Sequence, residues 1–167
     1  MLRSFRFLIG IIRVQHPVTR EHQNFADIGF GHSQVLPVLV GGYRQEAGST
    51  LMIEQPEIHL HPRAQAELGR FFATLYQRSV QSIIETHSEH LILRLQQYVA
   101  NGEISAADIV FYYVYAKGGR KVVKRLSVDS LGRFVEEWPD GFFPERLEEA
   151  KNLARARFEH GAVGVTE

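Results

Sequence analysis

Apolar residues along this chain fall into short runs separated by segments of helical periodicity. The uncharged run from Phe7 to Ile12, bracketed by Arg6 and Arg13, is too short to cross a bilayer, which takes roughly 20 residues. No small-residue cleavage site follows it, so it reads as a buried strand. His16 to Gln23 is polar, contains Pro17 and reads as a loop. Ser33 then stands where it would N-cap a helix carrying Val35, Leu36, Leu39 and Val40 at helical spacing. Pro37 is placed in about the first turn, where a missing amide hydrogen costs least. Gly41-Gly42 is expected to end that helix.

Leu51 to Ile53, ending at Glu54, has the pattern of a buried parallel strand. Pro62 opens a helix with Ala64, Leu68, Phe71, Phe72 and Leu75 on one face. Val80, Ile83 and Ile84 make a second buried strand ending at Glu85. Ser88 caps a further helix with Leu91, Ile92, Leu95 and Val99 inward, and Asn101-Gly102 stops it. Two strands, Ile109 to Tyr115 and Val122 to Val128, are joined by a turn at Gly118-Gly119. Alternating strands and helices indicate an α/β layered sheet, and such folds bind ligands at the carboxyl ends of their strands. The unusual residues, Glu54 to His61 and Glu85 to His90, sit at those ends. Asp129 to Gly132 reads as a turn, followed by the aromatic loop WPDGFFPE and a terminal helix with Leu147, Ala150, Ala154 and Phe158 on one face. The expected division is a main portion, 1–128, and a short tail, 129–167.

Composition adds mainly exclusions. Acidic and basic residues number 19 each, so bulk charge does not argue for nucleic acid, and no basic stripe stands out to argue for DNA independently. The chain contains no cysteine, which removes disulfides and thiolate metal sites. The expected compartment is the cytoplasm, with no membrane partner.

Three segments carry candidate chemistry. In LMIEQPEIHLHP, an apolar strand ends in an acid, Glu54, followed by a proline and a second acid. The segment resembles the Walker B strand and following loop of ABC-class ATPases, and its HLHP ending resembles the SMC, RecF and OLD-like branch. Glu54 matches the family's magnesium-side acid. Where the family usually has a glutamate that activates water, this chain has Gln55, which can orient water but cannot take its proton. Either Gln55 positions the water, or Glu57 supplies the carboxylate, or hydrolysis is slow. The wording also resembles a subgroup whose members carry a C-terminal tail domain of unassigned role, as does the WPDGFF tail. SIIETHSEH resembles the switch loop, which implies that His87 contacts the γ-phosphate. FADIGFGHSQVLP resembles the signature motif, which implies that Gly31, Ser33 and Gln34 clamp ATP held by an opposing head. The three occur in the superfamily's order. The implied fold is the C-terminal lobe of a three-layer P-loop NTPase of ABC type with a small helical tail, using ATP and Mg²⁺.

No stretch fits Gly-x-x-x-x-Gly-Lys-Ser/Thr. Nucleotide binding is therefore expected to need a Walker A-bearing N-terminal half, in cis or in trans, together with a head-to-head dimer partner. A partial chain, a split gene and a degenerate remnant are the three explanations. Two readings compete. Glu57, His59 and His61 alternate, as do Glu85 and His87 with His90 beyond, which would suit a metal-dependent hydrolase if residues 57–61 were extended. A noncatalytic module could instead dock a partner through Trp138, Phe142 and Phe143, unless those aromatics form a satellite core. Relatives by fold act in DNA repair or phage defence.

Overall fold

The computed structural model describes residues 13–15, 18–27, 30–139, 152, 153 and 155. The apolar run 7–12, most of the WPDGFFPE loop and most of the terminal helix lie outside the described residues. The element order is β1 (Arg13–Gln15), β2 (His22–Asn24), a 3₁₀ turn (Phe25–Asp27), α1 (Phe30–Tyr43), β3 (Thr50–Glu54), α2 (Pro62–Gln77), β4 (Gln81–Glu85), α3 (Glu89–Ala100), β5 (Phe111–Lys117) and β6 (Arg120–Leu126). The chain forms two compact units, Met1–Leu95 and Gln96–Glu167, and the division falls within α3. Among the described residues the strands pair two by two: β1 with β2, β3 with β4, and β5 with β6.

In the first unit, α2 is the crossover that lets β3 and β4 run parallel. Proline at its first position and an apolar stripe define the helix: Leu68, Phe71, Phe72 and Leu75 are all buried. Alternation along the two strands turns Leu51, Ile53, Ser82 and Ile84 toward α1 and α2. Among the described residues nothing packs over the opposite face, where the cross-strand neighbours Met52 and Ile83 are 73% and 48% exposed.

Several local expectations need correction. The segment 16–23 is not wholly loop: His22 and Gln23 belong to β2, paired antiparallel to β1. Its polar composition hid a strand that is exposed throughout. Helix α1 begins at Phe30, so Ser33 lies inside its first turn and is not its N-cap. Pro37 falls in the helix interior, where it leaves the ladder one hydrogen bond short. Gly41-Gly42 does not stop the helix, which runs on to Tyr43. Gly42 serves close approach instead, since a Cβ there would lie 2.3 Å from the Phe71 ring.

The second unit is built on the β5–β6 hairpin, whose limits are each displaced by two residues toward the turn at Gly118-Gly119, which is where it was expected. Both glycines have positive φ, 58° and 75°, as the tight two-residue hairpin requires. The chain then doubles back through a bridge between Val128 and Phe134. Phe134 meets Phe111 edge-on, and Trp138 packs on Tyr113 and Phe134. Trp138 therefore belongs to a satellite aromatic core. Phe142 and Phe143 lie outside the described residues.

The return is pinned by two carboxylates. Asp129 accepts hydrogen bonds from the Leu131 and Arg133 amides and pairs with the Arg133 guanidinium at 2.8 Å. Glu136 accepts from the Ser127 amide and hydroxyl. Hydrogen bonds from Arg133, backbone and side chain, hold the Asp129 carboxyl below its ordinary range. Those from Ser127 do the same for Glu136.

Candidate functional site

Because β3 and β4 are parallel and in register, their carboxyl ends coincide, and Glu54 stands directly opposite Glu85. Both side chains lie on the bare face. The pairing puts two like charges side by side at the exposed strand ends. Oxygen ligands of this kind suit Mg²⁺, which is held by one or two carboxylates with waters and phosphates completing its shell. The residues present fit that ion. The Gln55 amide donates to the Glu85 carbonyl at 2.8 Å, extending the ladder by one bond. Gln55 itself takes φ 45°, a left-handed conformation that a non-glycine residue keeps only when its surroundings enforce it.

Residues 56–59 turn, with Ile58 N–H donating to the Gln55 carbonyl and Leu60 N–H to that of Glu57. Within this turn Glu57 is only 7% exposed. Its Oε1 accepts from the His87 backbone amide at 2.7 Å, while Oε2 is buried without a hydrogen-bond partner. The two loops are joined a second time through Gln65. Its side-chain amide donates to the Leu60 carbonyl at 2.9 Å, and its Oε1 accepts from the Ser88 hydroxyl at 2.7 Å. Ser88 also caps α3, accepting from Leu91 N–H at 3.1 Å. The imidazole of His87 belongs to an exposed residue at the end of this frame.

Glu54 and Gln55 thus stand at the end of β3 beside Glu85, and Glu57 is tied to the backbone of His87 just past the end of β4. Gly31 meets the loop after β3 at His59 and Leu60. A Cβ at that position would lie 2.5 Å from the His59 carbonyl oxygen, so α1 meets the 57–61 loop where only glycine fits. A cavity of about 470 Å³ opens beside this contact, lined by residues that include Gly31, Leu39, Leu60, Ala64 and Phe71. Ser33 and Gln34 are exposed on the first turn of α1. Sequence reasoning did not single out Gln65, and it named Glu85 only for the metal-dependent hydrolase reading and not beside Glu54. Glu85 had a signal, as the acid ending a buried strand, but its partner is set by register.

The extended segment that would align Glu57, His59 and His61 is not formed, because 56–59 is a turn. His61 caps α2, its Nδ1 accepting from Arg63 N–H at 3.3 Å. Among the described residues, no three His, Asp or Glu side chains are grouped to hold a metal ion.

Residues 8–92, about half of the chain, match the family model described as AAA ATPase domain. The chain belongs to that family. A second model, described as protein of unknown function (DUF3696), matches residues 104–153. No curated protein and no solved structure matches the chain. The AAA ATPase domain falls within the first compact unit, and the DUF3696 match within the second. ATP with Mg²⁺ is the general ligand of AAA ATPases, and the acidic strand ends lie inside the matched residues. Among the described residues, no helix of this AAA ATPase is long and apolar enough to cross a membrane.

Proposed function

We propose that this AAA ATPase domain is the C-terminal portion of an ABC-type head of the SMC, RecF and OLD-like branch, the lobe of a three-layer P-loop fold. The observation that carries the reading is the register of β3 and β4. It sets Glu54 beside Glu85 while the Glu57 carboxylate holds the backbone of His87. Glu54, with Glu85 beside it, would hold Mg²⁺, which supplies charge neutralisation at the terminal phosphates. Gln55 orients the attacking water through its amide. Glu57 has a positional role: its buried carboxylate fixes the strand-end backbone so that the His87 imidazole meets the γ-phosphate. Gly31, Ser33 and Gln34 close on ATP held by the opposing head.

The Walker A loop comes from an N-terminal half, in cis or in trans. The bare face of the β3–β4 pair supports this, since parallel strands are ordinarily covered on both faces and Met52 and Ile83 are not. ATP-gated association of two heads is the output in this reading, in the cytoplasm, with DNA repair or phage defence as the process by analogy of fold.

The test is ATP turnover of the assembly formed with a Walker A-bearing segment. Glu54→Ala and His87→Ala are each expected to lower turnover by about 10²-fold or more, the scale for losing one group that stabilises transition-state charge. Unchanged turnover in both variants refutes the assignment.

A further inference from the structure

The β5–β6 hairpin concentrates charge in a chain that has none overall. Between Lys117 and Arg125 lie five cations, Lys117, Arg120, Lys121, Lys124 and Arg125, and no acid. Hairpin pairing folds this short segment so that its charges flank one ribbon: Lys117 is paired with Arg120 at the tip, Ala116 with Lys121, and Tyr112 with Arg125. Alternation places Tyr112, Val114, Lys121, Val123 and Arg125 on the open face, where Tyr112 is 63% exposed. Lys124 is on the opposite face and donates to the Glu137 carbonyl. Arg125 feels the Glu136 carboxylate. Among the described residues, Lys117, Arg120 and Lys121 have no carboxylate in ion-pair range. Cβ atoms built on Gly118 and Gly119 would meet nothing within 4 Å, so no described residue covers the tip.

We propose that this hairpin is a nucleic-acid-binding ribbon that lays its basic tip and open face into the major groove of a DNA duplex. A major groove about 12 Å wide admits a two-stranded β-ribbon. Lys121 and Arg125 are separated by roughly 14 Å along the strand at about 3.4 Å per residue. That distance corresponds to about four nucleotide steps at 3.4 Å each. Arginine and lysine are the usual donors to phosphates and guanine edges, and Tyr112, paired with Arg125, offers a planar apolar contact next to it. A bilayer is a poorer occupant, because the turn itself, Lys-Gly-Gly-Arg, carries no apolar side chain to insert and the exposed Tyr112, Val114 and Val123 lie back from it along the ribbon. The proposal concerns the unit that matches the protein of unknown function and is independent of the ATPase reading.

The experiment is fluorescence anisotropy of a labelled mixed-sequence duplex with the full chain, titrated over salt. Four phosphate contacts predict an affinity about 150-fold weaker at 200 mM than at 50 mM salt, and one remaining contact predicts about 3.5-fold. Lys117→Ala/Arg120→Ala/Lys121→Ala is expected to show the shallow dependence and much weaker binding. Lys117→Arg/Lys121→Arg should bind as the parent does, which separates lost charge from lost fold. The proposal is overturned if the parent chain does not bind duplex or if the alanine variant keeps the steep salt dependence. Tighter binding of polyglutamate or of phosphatidylserine vesicles than of duplex overturns it as well.

Discussion

Glu57 places a carboxylate where water scarcely reaches, and spends one of its oxygens on a backbone amide thirty positions along the chain. Removing that acceptor leaves the part-buried His87 N–H without its partner, at a cost of about 1 kcal/mol for the lost hydrogen bond. Glu57→Ala should therefore lower the urea midpoint more than Glu57→Gln, whose carbonyl oxygen can still accept; equal losses would deny the latch. Asp129 and Glu136 make a different kind of statement. Both have depressed folded-state values because their hydrogen bonds favour the charged form. The sign of the linkage follows: their contribution is present above the unfolded carboxylate range, about 4, and is lost as pH falls through the lower folded values. Thermal unfolding followed by near-ultraviolet circular dichroism of the aromatic cluster should show acid destabilisation that is reduced in Asp129→Asn/Glu136→Gln. These two acids could not be singled out from the sequence, because what marks them is the return of the chain onto Ser127 and Arg133.

At the scale of elements, what was legible is what pattern alone encodes. Apolar runs ending in Glu54 and Glu85 announced β3 and β4, Pro62 announced α2, and Ser88 announced the cap of α3. The failures have physical causes. β2 is polar because nothing buries it, so it had no periodicity to read. Gly41-Gly42 reads as a stop because glycine ends helices, whereas at Gly42 the missing side chain makes room for Phe71. Gly42→Ala is expected to destabilise the first unit by about 1–3 kcal/mol through overpacking, measured by urea unfolding; a neutral effect would show that α1 and α2 are not so closely apposed. Ser88→Ala should cost about 1 kcal/mol for the lost cap and also free the Gln65 link. Net neutrality likewise concealed the cationic hairpin, whose charges become one surface only when two strands pair.

The molecule as a whole divides as its family matches do, with an ATPase-type unit first and a hairpin unit second. Whatever completes the ATPase, the claim on which the rest depends is that two acidic strand ends lie side by side. Adjacent strands are about 4.8 Å apart, within reach of a short thiol cross-linker. The absence of cysteine from the chain gives a background free of competing thiols. The deciding measurement is the fluorescence of Glu54→Cys/Glu85→Cys treated with dibromobimane, which brightens when it bridges two thiols. The account predicts rapid bridging, with far less in a Glu85→Cys/Gln34→Cys control. Two singly labelled thiols at positions 54 and 85, with no bridge, would contradict it.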